Sequence, residues 1–248
     1  WNALLLVLGL LICLPAQAQE TASFTNNEIE LDFPNTLTFS INVSSEETVT
    51  ALALSTSVYR VTGKWKSSID RNRFWRHSLE VAISARMIAE AIKHQPAEEA
   101  FVSALLHDIG MLVLEGSFSA QYTQMLQKKR PDESLVDLET ETWGTDHARV
   151  AKFLLEQWSL PQRICDAVGL HHMTHPPDGK NPELELAQIV NLANLISRFP
   201  IQEKSIRTGL QTTENKENLC KILALKLDTL AEIEAQLFSR TVNEAKYM

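Results

Sequence analysis

Ala104-Leu105-Leu106-His107-Asp108-Ile109-Gly110 brings an apolar helical run to an imidazole and a carboxylate set side by side. Phe101, Leu105 and Leu106 mark the buried face of that helix. Pro96 stands at its first turn, where Glu98 and Glu99 complement the helix dipole, and Gly110 is the expected stop. Outward from this pair the chain sets further histidines in order: His77 before it, then His147, then the doublet His171-His172. Each falls on or at the end of an expected helix. Residues 73–94 read as a strong helix through Phe74, Trp75, Leu79, Ala82, Ile83, Ile88 and Ile92. Ser117 is the expected cap of a helix ending at Lys128-Lys129, and Gly144 closes the next. Thr145 caps the helix that carries His147, Val150, Phe153, Leu154 and Trp158. Pro161 starts the helix leading to the doublet, and Pro182 starts the last helix of the core.

The flanks differ in character. In residues 1–18 an apolar run, Pro15 and Ala16-Gln17-Ala18 resemble the apolar region and cleavage site of a signal peptide, without a cationic start. The run is too short to span a bilayer as a helix, so no transmembrane span is expected. Residues 19–47 alternate apolar and polar through Ile29, Leu31 and Phe33, and again through Leu37, Phe39, Ile41 and Val43. That pattern suggests a hairpin around Pro34-Asn35 or an extended linker. Residues 48–200 read as one helical domain, beginning with a helix over 48–61, and 201–248 as a linker and amphipathic helices. The stripe Leu219, Ile222, Leu223, Leu227, Leu230, Ile233 and Leu237 is expected to pack on the core, the alternative being a partner-binding helix.

Composition narrows the function. Of 248 residues, 44% are apolar and 22% charged, which is globular and speaks against wholesale disorder. The net charge of -8 and the absence of a long Lys/Arg block disfavour direct nucleic acid binding. Cys13, Cys165 and Cys220 form neither a CxxC pair nor a zinc spacing, and read as reduced, partly buried thiols. None of the eight glycines sits in a P-loop or a GxGxxG pattern, so neither kind of nucleotide site is supported.

Imidazole and carboxylate donors together suit iron, manganese, zinc or nickel, and a helical bundle can aim such groups from several helices at one point. Taken singly, each histidine has a simpler reading. A lone helix histidine such as His77 is more often a hydrogen-bonded, half-buried residue than a ligand. His107 and His171-His172 lie near helix C-termini, which favour a partly protonated imidazole. His147 lies in a first turn, where a cation is disfavoured. Jointly, the two doublets and the histidine between them favour a metal site or the remnant of one.

The same residues carry a family resemblance. Trp75-Arg76-His77-Ser78, Leu105-Leu106-His107-Asp108-Ile109-Gly110, Asp146-His147-Ala148 with Leu154-Leu155-Glu156-Gln157-Trp158-Ser159-Leu160-Pro161, and His171-His172 resemble, in this order, the motifs of HDOD domains. Those are regulatory modules of the HD superfamily, related to the HD-GYP phosphodiesterases. The helix through 51–58 is similar to the one that precedes the first histidine. The resemblance implies a mostly α HD-type bundle of about nine helices with a short, atypical N-terminal segment. It also implies a cytoplasmic signal-transduction role with protein partners, and a metal set of His77, His107, Asp108, His147, His171 and His172. Departures point away from catalysis. Met111 replaces a lysine, Arg73 replaces an acidic residue, Met173-Thr174-His175 replaces Gly-Tyr-Pro, and Asn194 stands at the usual aspartate position. A structural, sensory or vestigial site is the implied role. The alternative is a metal-dependent phosphohydrolase acting on nucleotides or cyclic dinucleotides, with Asp108 in its catalytic set.

Overall fold

A computed structural model describes residues 24–25, 28–33, 37–42, 58, 62, 67–130, 132–173, 182–197 and 209–244. The expected helix over 48–61 therefore lies largely outside the described residues, as do the signal-like run, Cys13, His175 and the loop around it. The alternating segment forms an antiparallel sheet of β1 (Phe24–Thr25), β2 (Glu28–Phe33) and β3 (Leu37–Asn42), in that order. Ile29 pairs with Ile41 and Leu31 with Phe39, so the apolar residues of the two longer strands stand opposite one another. Of the two expected alternatives, hairpin or extended linker, the described residues form a hairpin with one further strand.

The rest of the described chain is helical: α1 (Arg71–Ile92), α2 (Ala97–Leu106), α3 (Ile109–Lys128), α4 (Leu135–Trp143), α5 (His147–Gln157), α6 (Gln162–Leu170), α7 (Pro182–Ile196), α8 (Gly209–Ile222) and α9 (Leu227–Glu244). The central helix, α1, packs against α2, α7 and α9, while α5 lies between α3 and α6. Asp70 caps α1 by accepting from the Arg73 amide at 3.1 Å, a contact typically contributing about 1 kcal/mol. At its far end Lys93 turns left-handed, φ 62°, and its amide closes on Glu90.

Three expected boundaries are corrected. Gly110 does not stop a helix: α2 ends at Leu106, His107 and Asp108 form the turn, and Gly110 lies in the first turn of α3. Ser117 does not cap a helix: its hydroxyl donates back to the Val113 carbonyl at 2.7 Å, and the break expected there is a kink one residue on, at Phe118, φ -132°, ψ 37°, where two helical segments of α3 meet. The cap of α5 is Asp146, one residue later than Thr145, because its carboxylate reaches the Arg149 amide at 3.0 Å.

One apolar core runs through the helices. From the C-terminal stripe, Leu219, Leu223, Leu230, Ile233 and Leu237 are buried in it, while Ile222 and Leu227 are exposed. The run Ala97–Lys128 is long and apolar enough to cross a membrane by composition, yet most of it is buried inside the bundle. Cys165 and Cys220 are free, buried thiols.

Candidate metal centre

The turn between α2 and α3 puts Asp108, beside its neighbour His107, at the meeting point of histidines from three other places in the chain. Its Oδ2 lies 3.5 Å from His77 Nε2 on α1 and 3.0 Å from the neighbouring His107 Nε2. Its Oδ1 lies 3.3 Å from His147 Nε2, at the start of α5, and 3.6 Å from His171 Nε2, just past α6. His172 closes the set, its Nε2 standing 2.8 Å from His147 Nε2. All six residues of the expected set thus converge. Asn194 is half-buried on α7, one turn before Ser197, which touches His77.

Gly110 permits this convergence. A methyl group there would sit 2.0 Å from the His147 carbonyl oxygen and 2.8 Å from the Ala151 amide nitrogen. Only a glycine lets the first turn of α3 lie against α5 closely enough to bring Asp108 beside His147.

Each of four imidazoles is held through its other nitrogen. His107 Nδ1 donates to the Ala104 carbonyl at 2.7 Å, and His171 Nδ1 to the Val168 carbonyl at 2.6 Å. Ser197 gives its own proton to Glu80 Oε2, so at 3.1 Å its oxygen accepts from His77 Nδ1. His147 Nδ1 donates at 2.6 Å to Glu139, which also accepts the His147 amide and, on its second oxygen, the Tyr122 hydroxyl. A proton held at Nδ1 leaves Nε2 with its lone pair, aimed inward, as in metal-bound histidines.

The electrostatics suit a cation. Burial alone would raise the Asp108 carboxyl, but His107, His147 and His171 beside it hold it well below the ordinary carboxylate range. Burial lowers His171 and, with His171 and His147 as neighbours, takes His172 well below the ordinary imidazole value. For His147, burial opposes protonation, but Glu139 and Asp108 together outweigh it and raise the group well above that value. Tyr122 is raised by burial and by Glu139, so it remains a donor.

Whether these residues fit a metal is decided by their unsatisfied atoms. His107 Nε2 and His171 Nε2 are buried and make no hydrogen bond. Such nitrogens are costly unless something electropositive sits before them. Donors about 2.1 Å from a shared ion lie roughly 3.0 to 3.4 Å apart in octahedral or tetrahedral arrangements, close to the spacings found. The donors form two overlapping sets, Asp108 with His147, His171 and His172, and Asp108 with His77 and His107. The cluster fits a divalent ion.

The supporting carboxylates Glu139 and Glu80 and the hydroxyl of Ser197 were not foreseen from the sequence. Glu139 carries a signal, since it lies four residues from both Leu135 and Trp143 on the inward face of α4, and a carboxylate there needs a buried partner.

The HDOD domain model matches residues 36–174. A Treponema pallidum protein described only as uncharacterized is 24% identical over 169 residues, covering 59% of this chain. The chain spans about a third (32%) of that relative's length. The MmoQ response regulator of Methylococcus capsulatus superposes with a TM-score of 0.52 at 26% identity, over 75% of this chain and 69% of that one. A putative signal transduction protein of Marinobacter aquaeolei gives a TM-score of 0.63 at 19% identity, over 83% of this chain and 45% of that one, a likeness of fold.

Proposed function

Because this chain belongs to the HDOD domain family, we propose that it is a signal-transduction module whose buried histidine–aspartate cluster holds a divalent ion as a structural or sensing centre, without phosphodiester turnover. The observation that carries this reading is the convergence of four imidazole nitrogens on the two oxygens of Asp108 inside the bundle. A bound ion would supply concentrated positive charge that ties these segments together. His77, His107, Asp108, His147, His171 and His172 would hold it. Nitrogen-rich donors with one carboxylate suit iron, manganese, zinc or nickel.

Three features support a regulatory role over catalysis. Met111, where related phosphodiesterases carry lysine, is packed in the apolar core and cannot offer a charge to a phosphate. Arg73 and Asn194 remove two acidic positions of the active pattern. Five of the six donors are buried, with His172 alone half-buried, which leaves little open edge for a substrate. The MmoQ response regulator, at 26% identity, supports a reading in which this module has protein partners in signalling.

Elemental analysis of the purified protein, paired with assays on a cyclic dinucleotide and a generic phosphodiester, tests the proposal. Bound divalent metal without multiple turnover is expected. Turnover abolished by Asp108→Ala would replace this reading with the phosphohydrolase one.

A further inference from the structure

We infer that the cluster is two unequal half-sites, and that one ion is held tightly on the side of His147, His171 and His172, with Glu139 as its positioning residue. This rests on the metal reading above. The two oxygens of Asp108 divide the donors: Oδ1 faces His147 and His171, and Oδ2 faces His77 and His107. With His172 the first side has three imidazoles and the second has two.

The supports differ in charge as well. Of the four imidazoles anchored through Nδ1, His147 is the one that donates directly to a carboxylate; His107 and His171 donate to peptide carbonyls, and His77 to the Ser197 hydroxyl. Glu80 stands behind Ser197, one hydrogen bond further out. A carboxylate behind an imidazole makes its other nitrogen a stronger donor and adds negative charge close to the ion. An ion on the His77 side would have to share Asp108 with the first.

An independent observation marks the same side. His147 Nε2 and His172 Nε2 face each other at 2.8 Å. With Nδ1 of His147 engaged by Glu139, two nitrogen lone pairs can approach that closely only with a proton or a metal ion between them. In the metal-free protein a neutral His172 with its proton on Nε2 satisfies this contact, and an ion on this side would take that proton's place.

The test is titration of chelator-treated, full-length protein with Co²⁺, read by visible absorption and by metal analysis after desalting. One tight equivalent is expected. His172→Gln and Glu139→Gln should each weaken it roughly 10- to 100-fold, a larger loss than His77→Gln causes. Glutamine at 139 keeps the shape and an acceptor for Nδ1 but not the charge. A positioning role therefore predicts altered Co²⁺ bands and affinity with an unchanged circular dichroism spectrum and metal-free melting temperature. If that variant does not fold, the half-buried His172 and the His77 comparison decide the matter. Two equivalents of equal affinity, or loss of the tight one in His77→Gln but not in His172→Gln, would overturn the asymmetry. A wild-type protein that takes up no Co²⁺ would overturn the metal reading itself, a distinguishable result.

Discussion

Gly110→Ala would force a methyl carbon to within 2.0 Å of the His147 carbonyl oxygen, so α3 would have to move away from α5. Overpacking of this kind costs roughly 1 to 3 kcal/mol. The expected result is a lower urea midpoint with an unchanged slope, together with reduced metal retention, because Asp108 and His147 ride on the two helices being separated. A midpoint equal to wild type would show that the helices can part without cost. At Cys165, burial pushes the thiol up to about 11, which leaves roughly one molecule in a thousand as thiolate at pH 8. Peptide mass spectrometry should find it almost unlabelled by iodoacetamide in the native protein and fully labelled in denaturant. Rapid native labelling would contradict the buried placement. At this scale the histidines were legible in the sequence because each sits in a short recognisable word. Ser197 and Glu80 were not, because their contact joins residues 117 positions apart and no local pattern announces it.

The start of α1 hangs on a single buried side chain of α3. Glu115 accepts the Ser67 hydroxyl at 2.7 Å, the Ser68 hydroxyl at 2.8 Å, the Ser68 and Ile69 amides, and the Arg71 guanidinium at 3.1 Å. Glu115→Ala would take the carboxylate from the buried Ile69 amide, leaving it the 3.1 Å bond to the Ser67 hydroxyl, at about 1 to 3 kcal/mol for each group that stays dry and loses its acceptor. Amide exchange at 67–71 should accelerate far more than at α5 or α6. Uniform acceleration across the protein would mean that the contact holds the whole fold and not this element. The carboxylate has a sequence signal of the same kind as Glu139, lying four residues after Met111 and seven before Tyr122 on the inward face of α3. Helix positions were legible from periodicity, which is a local property. The boundary at Gly110 was misread because a glycine that ends a helix and one that lets another helix approach are identical in sequence. Only the tertiary contact separates them.

For the molecule as a whole, stability and acidity are linked through the cluster. His171 and His172 have folded values depressed below the ordinary imidazole one, so each resists protonation when folded and accepts it on unfolding. Their contribution is complete above the unfolded value, about 6.5, and is lost as pH falls through it toward the folded values. His147 is raised and has the opposite sign: its contribution is present below about 6.5 and is lost as pH rises through the folded value. With two such groups against one, metal-free protein should melt at a lower temperature at pH 5.5 than at pH 7. The proposed ion should widen the gap, since protons compete for its donors. A higher melting temperature at pH 5.5 would contradict neutral His171 and His172. The supports of the cluster reach from Glu80 and Glu139 to Ser197, so every donor is in place only after separations as long as the 120 positions between His77 and Ser197 have closed. Such closures are entropically late. An ion captured there would act as a rivet through the finished bundle, and a chelator would then speed unfolding far more than it slows the refolding of the emptied chain.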